Sequence, residues 1–364
     1  MEGIMHRLEN KLYQEDLETV AKSLSIDWVS FKGATIAISG ATGMIGTFLV
    51  DLLMHKTAKD EAGIRVIAMG RDEEKAHKRL PYFDDPHFSF DQVDVNLPGS
   101  HPSHPADVVI HLASTTHPRA YATDSIGTVT SNIQGLMNLL DYACMGETPA
   151  KFVFASSVEV YGQNRGDTEK FSEDYCGYIN SNTLRAGYPE SKRCGEALCQ
   201  AFLAQKHVPV FIPRLPRTYG PTMLSSDSKA LSQFIKKGLA HEDIVLKSEG
   251  TQEYSYLYVA DTVEGLLTAL TRGEAGQAYN VADAQSDVML KDLASAIATT
   301  SGQQVIFKLP DAIEAAGYST ATKAMMDGSR LRSLGWEAHY SIADGLRRTL
   351  EILGDDADSG EAVR

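Results

Sequence analysis

Apolar positions along the chain follow two rhythms. From Ala34 onward, short unbroken apolar runs recur as ATIAIS, IRVIAM, FSFDQVDV, DVVIHLAS, KFVFASS and VPVFIP. Between them lie helical patterns, clearest in MIGTFLVDLLMHK and in the stretch from Ser191 to Lys206. Continuous apolar strands alternating with helices predict a parallel sheet covered on both faces, an α/β fold. Ahead of this, Leu8, Leu12, Leu17, Val20, Leu24 and Trp28 are spaced among charges, which predicts one or two amphipathic helices over 4–30. After Pro213 the rhythm loosens. Pro213, Pro216, Gly220 and Pro221 break the pattern, and short pieces follow up to a last helix near Ile342 to Leu353. A soft boundary near 215 follows, with a frayed tail over 355–364.

Charge and cysteine usage narrow the class. The 364 residues carry a formal net charge of −14, whereas a nucleic-acid binder needs a basic face to neutralise phosphates. No apolar run approaches the length of a membrane span, and the opening MEGIMHRLENKLYQEDLE is too charged for a signal peptide. Cys144, Cys176, Cys194 and Cys199 form no CxxC pair, and none of the eleven histidines has HExxH spacing. Neither a disulfide scaffold nor a metal site is expected. A reducing, cytoplasmic setting fits this usage.

Chemistry enters at Ser39-Gly40-Ala41-Thr42-Gly43-Met44-Ile45-Gly46, a GxxGxxG loop between a strand and a helix. Gly40 permits the tight turn, Gly43 lets backbone approach a pyrophosphate, and Gly46 packs helix on strand. The helix N-terminus then offers N–H groups to phosphates, so a dinucleotide site is expected over Gly40, Thr42, Gly43, Met44, Ile45 and Gly46. The second strand ends in Gly70-Arg71-Asp72. An acid there hydrogen-bonds the ribose of NAD, and an Arg accommodates the 2′-phosphate of NADP. With Gly70 in the acid's place, Arg71 tilts the choice toward NADP, while Asp72 could still reach a ribose. Asp94, after FDQV, is placed to meet the adenine.

Tyr188-Pro-Glu-Ser-Lys192 is a YxxxK pair. On a helix the two side chains share one face, and the ammonium is expected to favour phenolate and lower the Tyr188 pKa. A strand ending Ala155-Ser156-Ser157 precedes it, and a hydroxyl there can bond the same substrate oxygen as Tyr188.

These features in this order resemble the extended short-chain dehydrogenase/reductase family, the nucleotide-sugar epimerases and dehydratases. The likeness runs from about Ala34 to Leu353. It includes His111-Leu112-Ala113-Ser114, SSVEVYG, PRLPRTYGP, YLYVAD, Ala278-Tyr279-Asn280-Val281 and Leu334-Gly335-Trp336. The resemblance implies a Rossmann doubly wound parallel sheet over 31–214 and a smaller, mainly substrate-binding α/β part over 215–354 with crossing segments. The helical arm over 1–30 stands outside it. A homodimer, a tightly bound NAD or NADP and a nucleotide-sugar substrate are also implied. Val95, Leu112, Ala113 and Ser114 would line the cofactor. Tyr188 would act as base at a sugar hydroxyl, Lys192 would hold the cofactor ribose, and Ser157 would align the substrate oxygen.

A transient 4-keto-sugar forms in this family, and its fate defines the enzyme. The 4,6-dehydratases carry Asp then Glu after the Ser157 position; here Val158 cannot donate a proton. Simple 4-epimerases need neither group, which leaves Glu159 without a role. UDP-glucuronate decarboxylases carry the Glu without the Asp. SEDYCGYINSNTLRAGYPESKRCGEAL, with Arg185, and HLASTTHPRAY, with Pro118 and Tyr121, resemble their segments most closely. Decarboxylation, with Glu159 catalytic and Arg185 and Tyr121 at the substrate, is the leading expectation. A 4-epimerase, an NADPH-dependent keto-sugar reductase and a non-catalytic dinucleotide binder are the alternatives. Three departures imply altered substrate contacts: Tyr254 stands where the decarboxylases usually have an Arg, Arg217 replaces an Asn, and Thr222 replaces an Arg. Arg217 and Tyr254 are therefore candidate substrate contacts, His111 a packed strand residue near the cofactor, and Asn132 a support for the Ser157 strand.

Overall fold

The computed structural model describes residues 7–114, 124–308 and 322–358. Among them, an eight-stranded parallel sheet forms the centre. Its strands are β1 (Thr35–Ser39), β2 (Arg65–Gly70), β3 (Phe88–Gln92), β4 (Val108–His111), β5 (Lys151–Phe154), β6 (Ser156–Ser157), β7 (Val210–Leu215) and β11 (Ala278–Asn280). The order is β11-β7-β5-β4-β1-β2-β3, with β6 also on β7. Strand progression reverses between β1 and β4. In such sheets ligands bind at that switch point, outside the carboxyl ends of the strands. The expected α/β Rossmann architecture is the one observed.

Helix α2 (Met44–Asp60) follows β1. Phe48, Leu49, Val50, Leu52 and Leu53 are all fully buried, so this helix is buried on more than one face, as a helix covered on both sides must be. One cover is the sheet. The other includes α1 (Lys11–Ala21), whose Asn10 cap accepts N–H bonds from Leu12 and Tyr13. The arm is keyed by polar groups as well as apolar ones. Tyr13 donates to Asp51 at 2.6 Å, Arg7 pairs with Asp51 at 2.8 Å, and Tyr258 donates to Asp16 at 2.6 Å.

The second layer is smaller. Strand β10 (Glu253–Tyr258) pairs with β8 (Arg217–Tyr219), β12 (Asp287–Met289) and β14 (Lys323–Ala324), while β9 (Ile244–Leu246) pairs with β13 (Val305–Phe307). Helix α7 (Val259–Arg272), buried through most of its length, lies between the layers. The chain crosses back at β11, which adds to the outer side of β7.

Two boundaries differ from expectation. Strand β7 continues through Pro213 to Leu215 because β5 pairs only as far as Phe211 and β6 resumes at Arg214. Pro213 falls in the gap between those two ladders, where a missing N–H costs no inter-strand bond. Helix α5 (Gly187–Lys206), which carries Tyr188 and Lys192, starts four residues before Ser191, with Pro189 in its first turn, where no intrahelical N–H bond is lost.

Candidate active site

The glycine loop caps the switch point. Gly40 has φ +73°, and a Cβ there would lie 2.7 Å from the Ala113 backbone nitrogen. A Cβ on Gly46 would lie 2.2 Å from the Gly40 carbonyl. These two positions therefore require glycine, one for its turn and one for helix-on-loop contact. Gly43 caps α2 without a side-chain hydrogen bond, so the N–H groups of the first turn, at Met44, Ile45 and Gly46, point to the crevice. With Thr42 at the loop tip and Leu112, Ala113 and Ser114 alongside, this cradle fits a pyrophosphate.

The rim of that cradle is less simple. Arg71 is exposed, and its carbonyl accepts from Gln92 at 3.0 Å. Asp72 is engaged as the N-cap of α3 (Glu73–Arg79), accepting from Lys75 N at 2.9 Å. The Asp94 side chain closes a turn on Asn96 N at 3.0 Å, and Val95 is buried below it.

Tyr188, Lys192, Ser157 and Ser114 converge at the carboxyl ends of β4 and β6. The Ser157 and Ser114 hydroxyls lie near enough to the Tyr188 phenol to favour its phenolate. Burial outweighs them and raises its pKa to about 12. Burial also lowers Lys192 to about 8. The expected lowering of Tyr188 by its neighbour is thus corrected: the Lys192 ammonium donates to the Ala155 carbonyl at 2.8 Å, and it lies 5.9 Å from the Tyr188 ring centre. Ser114 donates to Asn132 at 2.7 Å, Asn132 donates to Ser191 at 2.8 Å, and Ser191 donates to the Tyr188 carbonyl at 2.8 Å. Asn132 therefore ties Ser114 to α5 rather than supporting the Ser157 strand.

Glu159 sits two residues past Ser157, whose hydroxyl accepts the Glu159 N–H at 3.3 Å. Arg185 holds both Glu159 oxygens, at 2.9 and 2.8 Å. This pair lies at the mouth of the site, close enough for both charges to act on Tyr188. Further out, the Arg217 guanidinium lies 3.8 Å from the Tyr254 ring centre, a cation–π stack between β8 and β10. Thr222 binds the Met44 carbonyl at 2.8 Å, joining the 220 turn to the glycine loop. Tyr121 and Pro118 lie outside the described residues.

Some groups escaped the sequence reading. Arg79 donates to Thr47 and to the Thr222 carbonyl, locking α3, α2 and the 220 turn together; nothing local signals it. Glu196 continues the Tyr188–Lys192 spacing by one more turn, a signal that was there to be used. His111, buried beside Ser39 at 2.6 Å, is pushed down to about 3 by burial and by Lys192. Asp261, Glu264 and His339 bring potential ligand atoms within 4.8 Å of one another, a convergence that sequence spacing does not show. Asp261 already accepts backbone N–H groups of His339 and Tyr340, and Glu264 takes Ser23, Ser25 and His339.

The profile of the NAD dependent epimerase/dehydratase family matches residues 36–282. The chain belongs to that family. Within it, UDP-glucuronic acid decarboxylase 2 of Arabidopsis thaliana is 29% identical over 343 residues, covering 91% of this chain and 72% of that protein. Two solved structures share the fold of this family member. UDP-glucuronic acid 4-epimerase of Bacillus cereus, in complex with UDP-glucuronic acid and NAD, superposes with TM-score 0.72 at 22% identity, covering 88% of this chain and 98% of the other. The dTDP-glucose 4,6-dehydratase of Streptomyces venezuelae, with NAD bound, gives 0.74 at 21%, covering 91% and 100%. No helix among the described residues is long and apolar enough to cross a membrane.

Proposed function

We propose that this family member decarboxylates a UDP-glucuronate-type nucleotide sugar through a 4-keto intermediate. The Glu159–Arg185 pair beside Tyr188 carries this reading. A bound nicotinamide dinucleotide supplies the hydride acceptor and, later, the donor. Tyr188, held by Ser157 and Ser114, takes the proton of the C4 hydroxyl as hydride leaves C4. The resulting β-keto acid breaks its bond from C5 to the carboxylate, CO2 departs, and the electron pair stays as an enolate. A proton from solvent reaches C5 at the partly exposed mouth where Arg185 and Glu159 sit, and Tyr188 returns its proton to the C4 oxygen as hydride returns to C4. Val158 offers no acid to expel a C6 group, which disfavours dehydration.

A 4-epimerase acting on the same kind of substrate is the second reading. The bidentate ion pair supports it, because Arg185 takes up both Glu159 oxygens and leaves neither free to work on the substrate. Incubation of the protein with UDP-glucuronate in D2O separates the two. The decarboxylase gives a product lighter by CO2 with one deuterium at C5, whereas an isomer of unchanged mass means epimerase. Neither product, and no reduction of added dinucleotide, overturns both.

For the cofactor, Arg71 beside Gly70, with Asp72 engaged as a helix cap, supports NADP; NAD in the two solved neighbours supports NAD. Side-by-side reconstitution decides. A homodimer is supported by the outer face of α4 (Ser125–Ala143) and α5, where a cavity of about 590 Å³ is lined by Ile126, Val129, Ile133 and Leu184. Ile126 and Leu184 are 79% and 69% exposed. Ile126→Glu is expected to halve the mass seen by light scattering, and an unchanged mass sinks the dimer on this face.

A further inference from the structure

Helix α5 grips the end of the β5–β6 strand residue by residue. Lys192 holds the carbonyl of Ala155. One turn later, Glu196 accepts the hydroxyl of Ser156 at 2.6 Å. One turn before Lys192, Tyr188 faces the hydroxyl of Ser157. Three successive strand residues are thus each matched to one of three helix residues spaced four apart. That spacing is the one that stacks side chains along a helix face.

We infer that Glu196 is a positioning residue, which fixes the Ser157 hydroxyl against Tyr188 by anchoring Ser156. The assignment rests on the reading above only in taking Tyr188 and Ser157 as the reacting pair. Ser156 is 3% exposed and lies next to Ser157 in the two-residue strand β6, so a shift of one moves the other. The anchor is itself clamped. Arg214, opposite Ser156 on β7, binds both Glu196 oxygens through Nε at 2.9 Å and Nη2 at 2.7 Å. This is the bidentate fork geometry that adds direction to charge. The third donor of Arg214 reaches the Tyr161 hydroxyl at 2.9 Å and the Glu173 carbonyl at 2.7 Å. Tyr161 donates to Asn280 on β11, whose side chain in turn donates to the Phe171 and Asp327 carbonyls.

The consequence is directional. The strand end that presents Ser157 is held from α5 on one side and from β7 and β11 on the other. A carboxylate at 196 is the only link in this chain that meets both sides, among the described residues. Its partners are Ser156 and Arg214, so its effect on Tyr188 passes through the strand end that carries Ser157. A positional error of about 1 Å at a reacting group costs on the order of 100-fold in rate.

Ser156→Ala cuts only the anchor and leaves the Glu196–Arg214 pair intact. Glu196→Gln keeps an acceptor but removes the charge that holds Arg214. Crystal structures and steady-state kinetics of both, beside the native protein, test the role. The Ser157–Tyr188 oxygen separation is expected to widen by about 1 Å from its value in the native protein. Turnover is expected to fall about 10- to 100-fold, with KM and dinucleotide affinity within about threefold of native. An unchanged Ser157–Tyr188 separation in both variants overturns the inference. So does native kcat in Ser156→Ala, or a loss carried by KM. If the native protein turns over neither UDP-glucuronate nor UDP-glucose, the functional reading falls, and the crystallographic separation alone still decides the role of Glu196.

Discussion

The proposed cofactor end and the proposed substrate end of this crevice are built by different means. At the glycine loop the working groups are backbone: Gly40 and Gly46 clear space, and the first turn of α2 aims its N–H groups outward. At β8 and β10 they are side chains brought from distant segments, with Arg217 laid on Tyr254 and Thr222 tied to Met44. A backbone site is written in one short stretch and tolerates little change. A side-chain site is assembled by the fold and can be rewired one residue at a time.

Between the two ends lies the reacting pair, and its loss is the largest effect expected. Tyr188→Phe should lower turnover by 10²- to 10⁴-fold while dinucleotide binding stays near native, since only the proton acceptor is gone; stopped-flow and fluorescence titration read the two quantities. Gly46→Ala comes next. Its methyl meets the Gly40 carbonyl, and dinucleotide affinity should drop about 10- to 100-fold, with a lowered Tm, as overpacking predicts. A tolerated Ala there would mean the loop is more pliable than a backbone site should be.

Arg217→Gln tests the other end. Binding of UDP, measured by calorimetry, should weaken about 10-fold, the scale of one charge-assisted contact, with dinucleotide affinity unchanged. If both fall together, the two ends are not independent. The smallest effect is at His111. Its folded pKa of about 3 lies below the unfolded value near 6.5, so between those values the unfolded chain holds the extra proton. Stability is therefore complete above about pH 6.5 and drains away as pH falls toward 3. His111→Asn should flatten that slope by up to one proton in urea titrations at pH 7.5, 6 and 5.

The sheet, α2 and the loop were legible because their signals are local: apolar runs, glycine spacing and an adjacent helix pattern. The start of α5 and the passage of β7 through Pro213 were not. Each depends on what stands opposite, a first turn in one case and a gap between ladders in the other. In the candidate site, Tyr188, Ser157, Glu159 and Arg185 were readable as a set. What Asn132, Asp72 and Asp94 bind was not, since each of these polar side chains takes whichever N–H or hydroxyl the fold brings near. The direction of the Tyr188 shift was also hidden, because burial is a property of the whole packed core and outweighs a neighbour at helical spacing.

The arm at 7–30 has a consequence for the order in which this molecule can be completed. Its Ser25 bonds Glu264, 239 positions later, and Asp16 waits for Tyr258, 242 positions later. Arg348, in the final helix, closes on Glu15 and Asp16. Within this arm, Arg7 and Tyr13 find their partner early, at Asp51, whereas Asp16, Ser23 and Ser25 find theirs only at Tyr258 and Glu264. Docking of the arm is therefore a closure in two steps, a first hold on α2 and then a lock once residues 258–348 are in place.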